Sequence, residues 1–157
     1  MAYHCVAFIL IAQPCFEKFQ SPKTADAIWM AVMAAIGYKT LDGTLNKWVA
    51  AALWLGNGAQ FWLAPKSGID LYEMKGVSKL GESLMSLWGG QALCVGTYLA
   101  ALILEKSQSE AFAYSMIMNG VAALKYALLE ADDLKAPKTG PLAWAALSAG
   151  LAYKALN

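Results

Sequence analysis

Four stretches of this chain, residues 48–65, 83–104, 111–124 and 139–153, contain no charged side chain. A hydrocarbon core about 30 Å thick is crossed by roughly 20 helical residues rising about 1.5 Å each. The run at 83–104 is long enough alone, and the other three reach across once their charged ends extend to the headgroups. The expected fold class is all-α: an integral membrane four-helix bundle over residues 44–157, with spans near 44–65, 83–104, 110–130 and 140–156. An N-terminal segment, residues 1–43, precedes it.

The charge balance points the same way. The chain is 59% hydrophobic and only 15% charged, whereas soluble domains carry about a quarter charged residues. A helical domain in water needs charged outer helix faces, and these segments do not supply them. The formal charge is +1 with no basic run, so no nucleic-acid partner is expected, since such binding needs clustered cations. All 12 cations are lysine, which removes the planar guanidinium fork that grips phosphate or carboxylate. Cys5, Cys15 and Cys94 form no Cys-x-x-Cys pair, and His4 is the single histidine; a histidine-held metal site is therefore not expected.

Residues 6–12 resemble the apolar part of a signal peptide, but no cation precedes them and Pro14 follows. They suit either a targeting remnant or a segment lying on the protein or membrane surface. Ser21-Pro22 reads as an N-cap and first helical position, and Ala25, Ile28, Trp29, Val32, Met33 and Ile36 recur at helical spacing. A helix over about 22–38 follows. Its uncharged part is short for a span, so an interfacial amphipathic or re-entrant helix is expected, with Asp42-Gly43 as the turn beyond it.

Pro65 should stop the first span, and the charged link 66–82 should lie at the headgroups. Ser86/Gly90 and Ala92/Gly96 place small residues one turn apart on the second span, which predicts a close helix–helix seam. Ser107-x-x-Glu110 is a capping box for the third helix. Ala145, Ala146, Ala149 and Gly150 offer a small-residue face on the fourth. Lysine counts at the two sets of span ends are too even to orient the bundle.

Four carboxamides fall at or near mid-helix: Asn57, Gln60, Gln91 and Asn119. In hydrocarbon an unpaired amide is costly, so each should face a helix, a partner subunit or a ligand. One reading is an interhelical hydrogen-bond layer joining Asn57 to Asn119 or Gln91, helped by Thr97 and Ser148. Another uses an amide oxygen as axial ligand to chlorophyll, a hard donor suited to magnesium; a quinone or lipid pocket is a third. Trp54 and Trp88 lie within spans, where an indole can pack on a flat ligand or another helix. Lys125 is expected to snorkel towards Glu130. No nucleophile–base pair, phosphate loop or deep carboxylate relay is present, and no catalytic residue is assigned.

Ala64-Pro65, the segment Gly68-Ile69-Asp70-Leu71-Tyr72-Glu73-Met74-Lys75-Gly76, and Gly89-Gly90 together resemble the small four-span membrane proteins of the DoxX-like kind. That resemblance implies the four-span fold and a quinone-linked or respiratory subunit, in the mitochondrial inner membrane for instance. The Ala- and Met-rich, all-lysine composition also resembles small accessory subunits of algal photosynthetic membranes. This implies a non-antenna subunit of a plastid thylakoid complex, since the Glu–Arg pairs of antenna proteins cannot form without arginine. The expectation taken forward is a non-catalytic accessory subunit among other integral membrane subunits, a photosystem or its antenna assembly being the first host. Its cofactors would be chlorophyll and carotenoid, with membrane lipid around it. A quinone-linked subunit and a small-molecule carrier are the alternatives.

Overall fold

The computed structural model describes residues 23–157, and every ordered element is a helix. The expectations for residues 1–22, including the apolar run and the Ser21-Pro22 start, lie outside the described residues. Helix α1 covers Lys23–Leu41, three residues beyond the expected end. The chain then turns at Asp42-Gly43, where Gly43 has φ 72°, a left-handed geometry open to glycine. Asp42 Oδ1 accepts from the Thr44 amide at 2.9 Å and from the Thr44 hydroxyl. The side-chain bond first, and then the backbone bond, hold the Asp42 carboxyl below the usual carboxylate range.

Helix α2, Lys47–Leu63, starts under an Asn46 cap that accepts from the Trp48 amide. It ends before Pro65, which opens a separate short helix α3, Pro65–Leu71, at a position where its missing N–H costs nothing. The link is thus not a surface segment throughout. Gly68 and Ile69 are buried, with Gly68 against the Phe61 ring. Helix α4, Lys79–Ile103, begins at Ser78, and α5, Gln108–Lys125, begins at the expected capping box. There the Glu110 amide donates to Ser107 Oγ at 3.1 Å and the Ser107 amide to Glu110 Oε2 at 2.9 Å. A π-turn, Tyr126–Glu130, extends α5, and α6 runs over Thr139–Leu156.

Helix α4 is central, packed against α2 on one side and α5 on the other, with α6 outside α5. The seam expected from Ser86/Gly90 and Ala92/Gly96 is found only in part: Gly96 meets Leu55 of α2, Gly90 meets Ala122 of α5, and the α2–α4 approach centres on Gly58 and Gly89. A Cβ on Gly58 would stand 2.7 Å from the Leu93 backbone nitrogen, and one on Gly89 would stand 2.8 Å from Gly58 O. Helices α2 and α4 therefore touch backbone to backbone, which any larger residue would prevent. On α6 the expectation needs correcting. Ala145, Ser148 and Ala152 form the buried stripe, while Ala146, Ala149 and Gly150 face outward.

Among the described residues, two helices rather than the expected four are long and apolar enough to cross a membrane: Lys79–Ile103 and α5 with its π-turn, Gln108–Glu130. Helix α2 has 17 residues and a length of about 25 Å. Its charge-free run overstated it, because Ala64 and Pro65 lie outside the helix. Helix α6 includes the weakly apolar start Thr139-Gly140-Pro141 and Lys154 within its 18 residues.

Size is distributed unusually between inside and outside. The buried apolar set is mostly alanine, including Ala51, Ala92, Ala111, Ala122 and Ala152. Large apolar side chains point outward instead: Leu84 and Trp88 on α4, Ile117 and Val121 on α5, Trp144 and Leu147 on α6. Only 39% and 33% of the apolar windows of the two long helices are buried, far from the enclosure of a soluble core helix.

Candidate functional site

The four carboxamides take three different situations. Asn119, 6% exposed, sits where α4, α5 and α6 meet. Its Oδ1 accepts from Gln91 Nε2 at 3.1 Å and from Trp144 Nε1 at 3.4 Å. A carbonyl oxygen has two lone pairs and both are engaged, so Asn119 is a clamp and has no free pair for a metal. Neither expected pairing of Asn57, with Asn119 or with Gln91, forms; Gln91 and Asn119 bond to each other instead, and the Ser148 hydroxyl, expected to help, is buried without a hydrogen-bond partner. Gln60 lies on the outer side of α2 and donates to Ser67 Oγ at 3.2 Å, fastening the start of α3.

Asn57 joins neither group. Its carboxamide has no hydrogen-bond partner among the described residues. It lines a small cleft of about 20 Å³ with Met33 of α1, Leu53 and Trp54 of α2, and Trp88 of α4. Trp88 is 40% exposed, and its ring packs tilted against the Phe61 ring with centroids 5.2 Å apart. The structure thus brings together Asn57 and the two indoles that lie inside spans, and it separates them from the Gln91–Asn119 pair.

A second polar cluster was foreseen only in part from the sequence. Lys125 Nζ donates to Ser86 Oγ at 2.6 Å and to Glu130 Oε1 at 2.5 Å, and Ser86 Oγ lies 2.9 Å from the same carboxylate oxygen. The ammonium also stands 5.7 Å from the centre of the Trp62 ring. Lys125 therefore turns inward to link α2, α4 and α5, where snorkelling outward was expected. In an α-helix, residues five apart point about 140° away from each other. The π-turn brings them together, and its Ala131 amide bonds to Tyr126 O at 2.9 Å. Glu130 Oε2 is buried without a hydrogen-bond partner. The approach of Lys125 to Glu130 was expected from the sequence; the inward turn and the part of Ser86 were not.

Cys94 is buried, with its thiol directed at Gly90 O at 3.2 Å, as a small hydrophobe would be. Among the described residues there is no group of three or more His, Cys, Asp or Glu that could hold a metal ion. No protein-family model, curated protein or solved structure matches this chain.

Proposed function

We propose that this chain is a non-catalytic integral membrane subunit that packs among larger membrane proteins, with a photosystem or its antenna assembly in the plastid thylakoid as host. The observation that carries the reading is the inverted size distribution, with alanine, glycine and serine between helices and leucine, isoleucine and tryptophan outside. In water, removing apolar surface is worth roughly 25 cal/mol per Å², so a soluble fold would turn these large side chains inward. In lipid that drive between helices is absent, and close packing of small residues joins helices instead.

Helix α4 and the extended α5 are the full spans. Helices α2 and α6 complete the bundle, their shorter apolar stretches meeting the headgroups through Lys47, Lys154 and the exposed Trp48. The ion pairs Lys39–Asp42 and Lys106–Glu110 stand at one set of helix ends, and Lys79–Asp133 and Lys138–Asp132 at the other. Charge is thereby confined to two layers on either side of an apolar belt. The all-lysine, alanine-rich composition and its resemblance to photosynthetic accessory subunits support the choice of host. The outward leucines and tryptophans supply the surface that neighbouring subunits and lipid would cover.

The test is affinity capture of the tagged chain from native thylakoid membranes under mild detergent, with absorbance of the eluate. Co-elution of photosystem subunits with chlorophyll bands is the expected result. Quinone-dependent redox turnover, or substrate uptake by the purified chain alone in liposomes, would overturn it.

A further inference from the structure

We propose that the π-turn Tyr126–Glu130 is a charge-held switch: ionised Glu130, drawn inward by Lys125, keeps the wide turn, and loss of that charge lets it wind to α and rotate the link 131–138 that leads into α6. This goes beyond the accessory role above and does not depend on which complex is the host.

A π-turn holds one residue more than the α-turn it replaces, and such turns are rare and gather where a site needs them. Winding this one out would rotate the chain beyond it by about 100° around the helix axis. What the extra residue achieves is local. It brings Glu130 round to Lys125, which a regular helix would leave on another side, so the wide turn and the ion pair exist together. Glu130 Oε2 is buried with no hydrogen-bond partner, a cost to the carboxylate. Offsetting it are the charge-assisted bonds of Oε1 with Lys125 Nζ at 2.5 Å and Ser86 Oγ at 2.9 Å. A neutral Glu130 gives up the ionic part of that attraction and leaves the Lys125 ammonium, with a side chain only 20% exposed, without its counter-charge.

No other charge replaces Glu130. The pair is faced by Ser86 and Ser83 from α4 and by Trp62 from α2, and Tyr126 is the other titratable group of the turn itself. Helix α6 also packs on the turn, but Lys154 in its last turn is its only charged residue. Asp132 and Asp133 are engaged with Lys138 and Lys79 in exposed pairs, which contribute little. The link is otherwise lightly held. Asp132, Asp133, Lys135 and Pro137 are exposed, and Ala131, the one buried residue in it, offers a single methyl group.

The full chain, with Cys5, Cys15 and Cys94 replaced by alanine, carries nitroxide labels through Leu80→Cys on α4 and Lys135→Cys in the link. The distance between them is read by pulsed electron spin resonance in detergent. At neutral pH, Glu130→Gln should move that distance by several ångströms. Lys125→Met/Glu130→Leu, which leaves no charge unbalanced, should move it likewise. Acid should do the same to the parent, since the pair is whole while Glu130 is ionised and is lost as pH falls. Deleting Leu129, 70% exposed, removes the extra residue and sets Lys125 and Glu130 four apart on one face of a regular helix. Nothing is then left to wind out, so Glu130→Gln in that background should cause no movement. An unchanged distance in the double variant would overturn the inference, as would an equal movement after Leu129 is deleted. A movement of the same size from Asp133→Asn alone would also overturn it, by assigning the hold to the exposed pair.

Discussion

Against α2, helix α4 brings glycine to glycine, with Gly58 O where a Gly89 side chain would begin. Against α5, the same helix presents Ser86 to Lys125 and Glu130, and Gln91 to Asn119. One face is held by the absence of side chains and the other by polar groups that must be paired. For helices set in lipid, as proposed above, these would be the two means left once burial of large apolar groups no longer discriminates inside from outside. They also fail differently. The steric face responds to added atoms, and the polar face to losing one partner of a pair.

The largest effect should follow Glu130→Leu, which leaves the Lys125 ammonium without its counter-charge. Breaking a buried pair costs about 3–5 kcal/mol, and with side-chain exposures of 20% and 14% the lower end is expected. The measurement is the unfolding free energy in mixed micelles. The double variant Lys125→Met/Glu130→Leu should recover most of that loss. If it is as unstable as the single variant, the pair does more than neutralise itself.

Gly89→Val should come next, losing about 2–3 kcal/mol by overpacking, because the groups in its way are the Trp62 and Gly58 backbones. Cysteine cross-linking between α2 and α4 should lose efficiency in this variant while α4–α5 cross-linking is kept. Equal loss at both faces would remove the distinction between them. Asn119→Leu is expected to cost about 1–2 kcal/mol, since it strands Gln91 Nε2 and Trp144 Nε1. Trp144→Phe should cost less, as one acceptor bond at Asn119 remains.

The smallest effect lies away from both faces. Asp42 titrates below its ordinary value in the folded chain because Thr44 hydrogen-bonds the charged form. Its contribution is full above the unfolded carboxylate pKa and is lost as pH falls through the lowered folded value. Amide exchange of Thr44 should accelerate over that acidic window, while Asn119 and its neighbours stay protected. Simultaneous loosening of the bundle would tie the turn to the core.

Helix starts and stops were legible where local chemistry sets them: Ser107 with Glu110, Asp42-Gly43, and Pro65. The glycine seam was legible only in part: small residues one turn apart marked Gly90 and Gly96 as contact points, but the spacing did not single out Gly58 and Gly89, where the two backbones meet. Span length was overstated in α2 because charge marks the edge of an apolar run, whereas the helix ends at the residue before the one preceding proline. The outward turn of Ala146, Ala149 and Gly150 was hidden, since α6 carries small residues all round and pattern alone could not choose a face. Depth placed four amides near mid-helix but could not rank their partners. Rotation about each helix axis decides that Gln91 meets Asn119 and that Asn57 faces the indoles. Lys125 and Glu130 were a neighbouring pair in sequence, and only the π-turn turned that neighbourhood into an inward contact.

All of this depends on lipid being the medium against Ile117, Val121, Trp144 and Leu147. The most direct measurement is the size distribution of the purified chain by light scattering as detergent is removed. The account predicts loss of the monodisperse helical species into aggregates, reversed when liposomes are supplied. A helical monomer that stays monodisperse in detergent-free buffer, with its tryptophan emission unchanged, would contradict it.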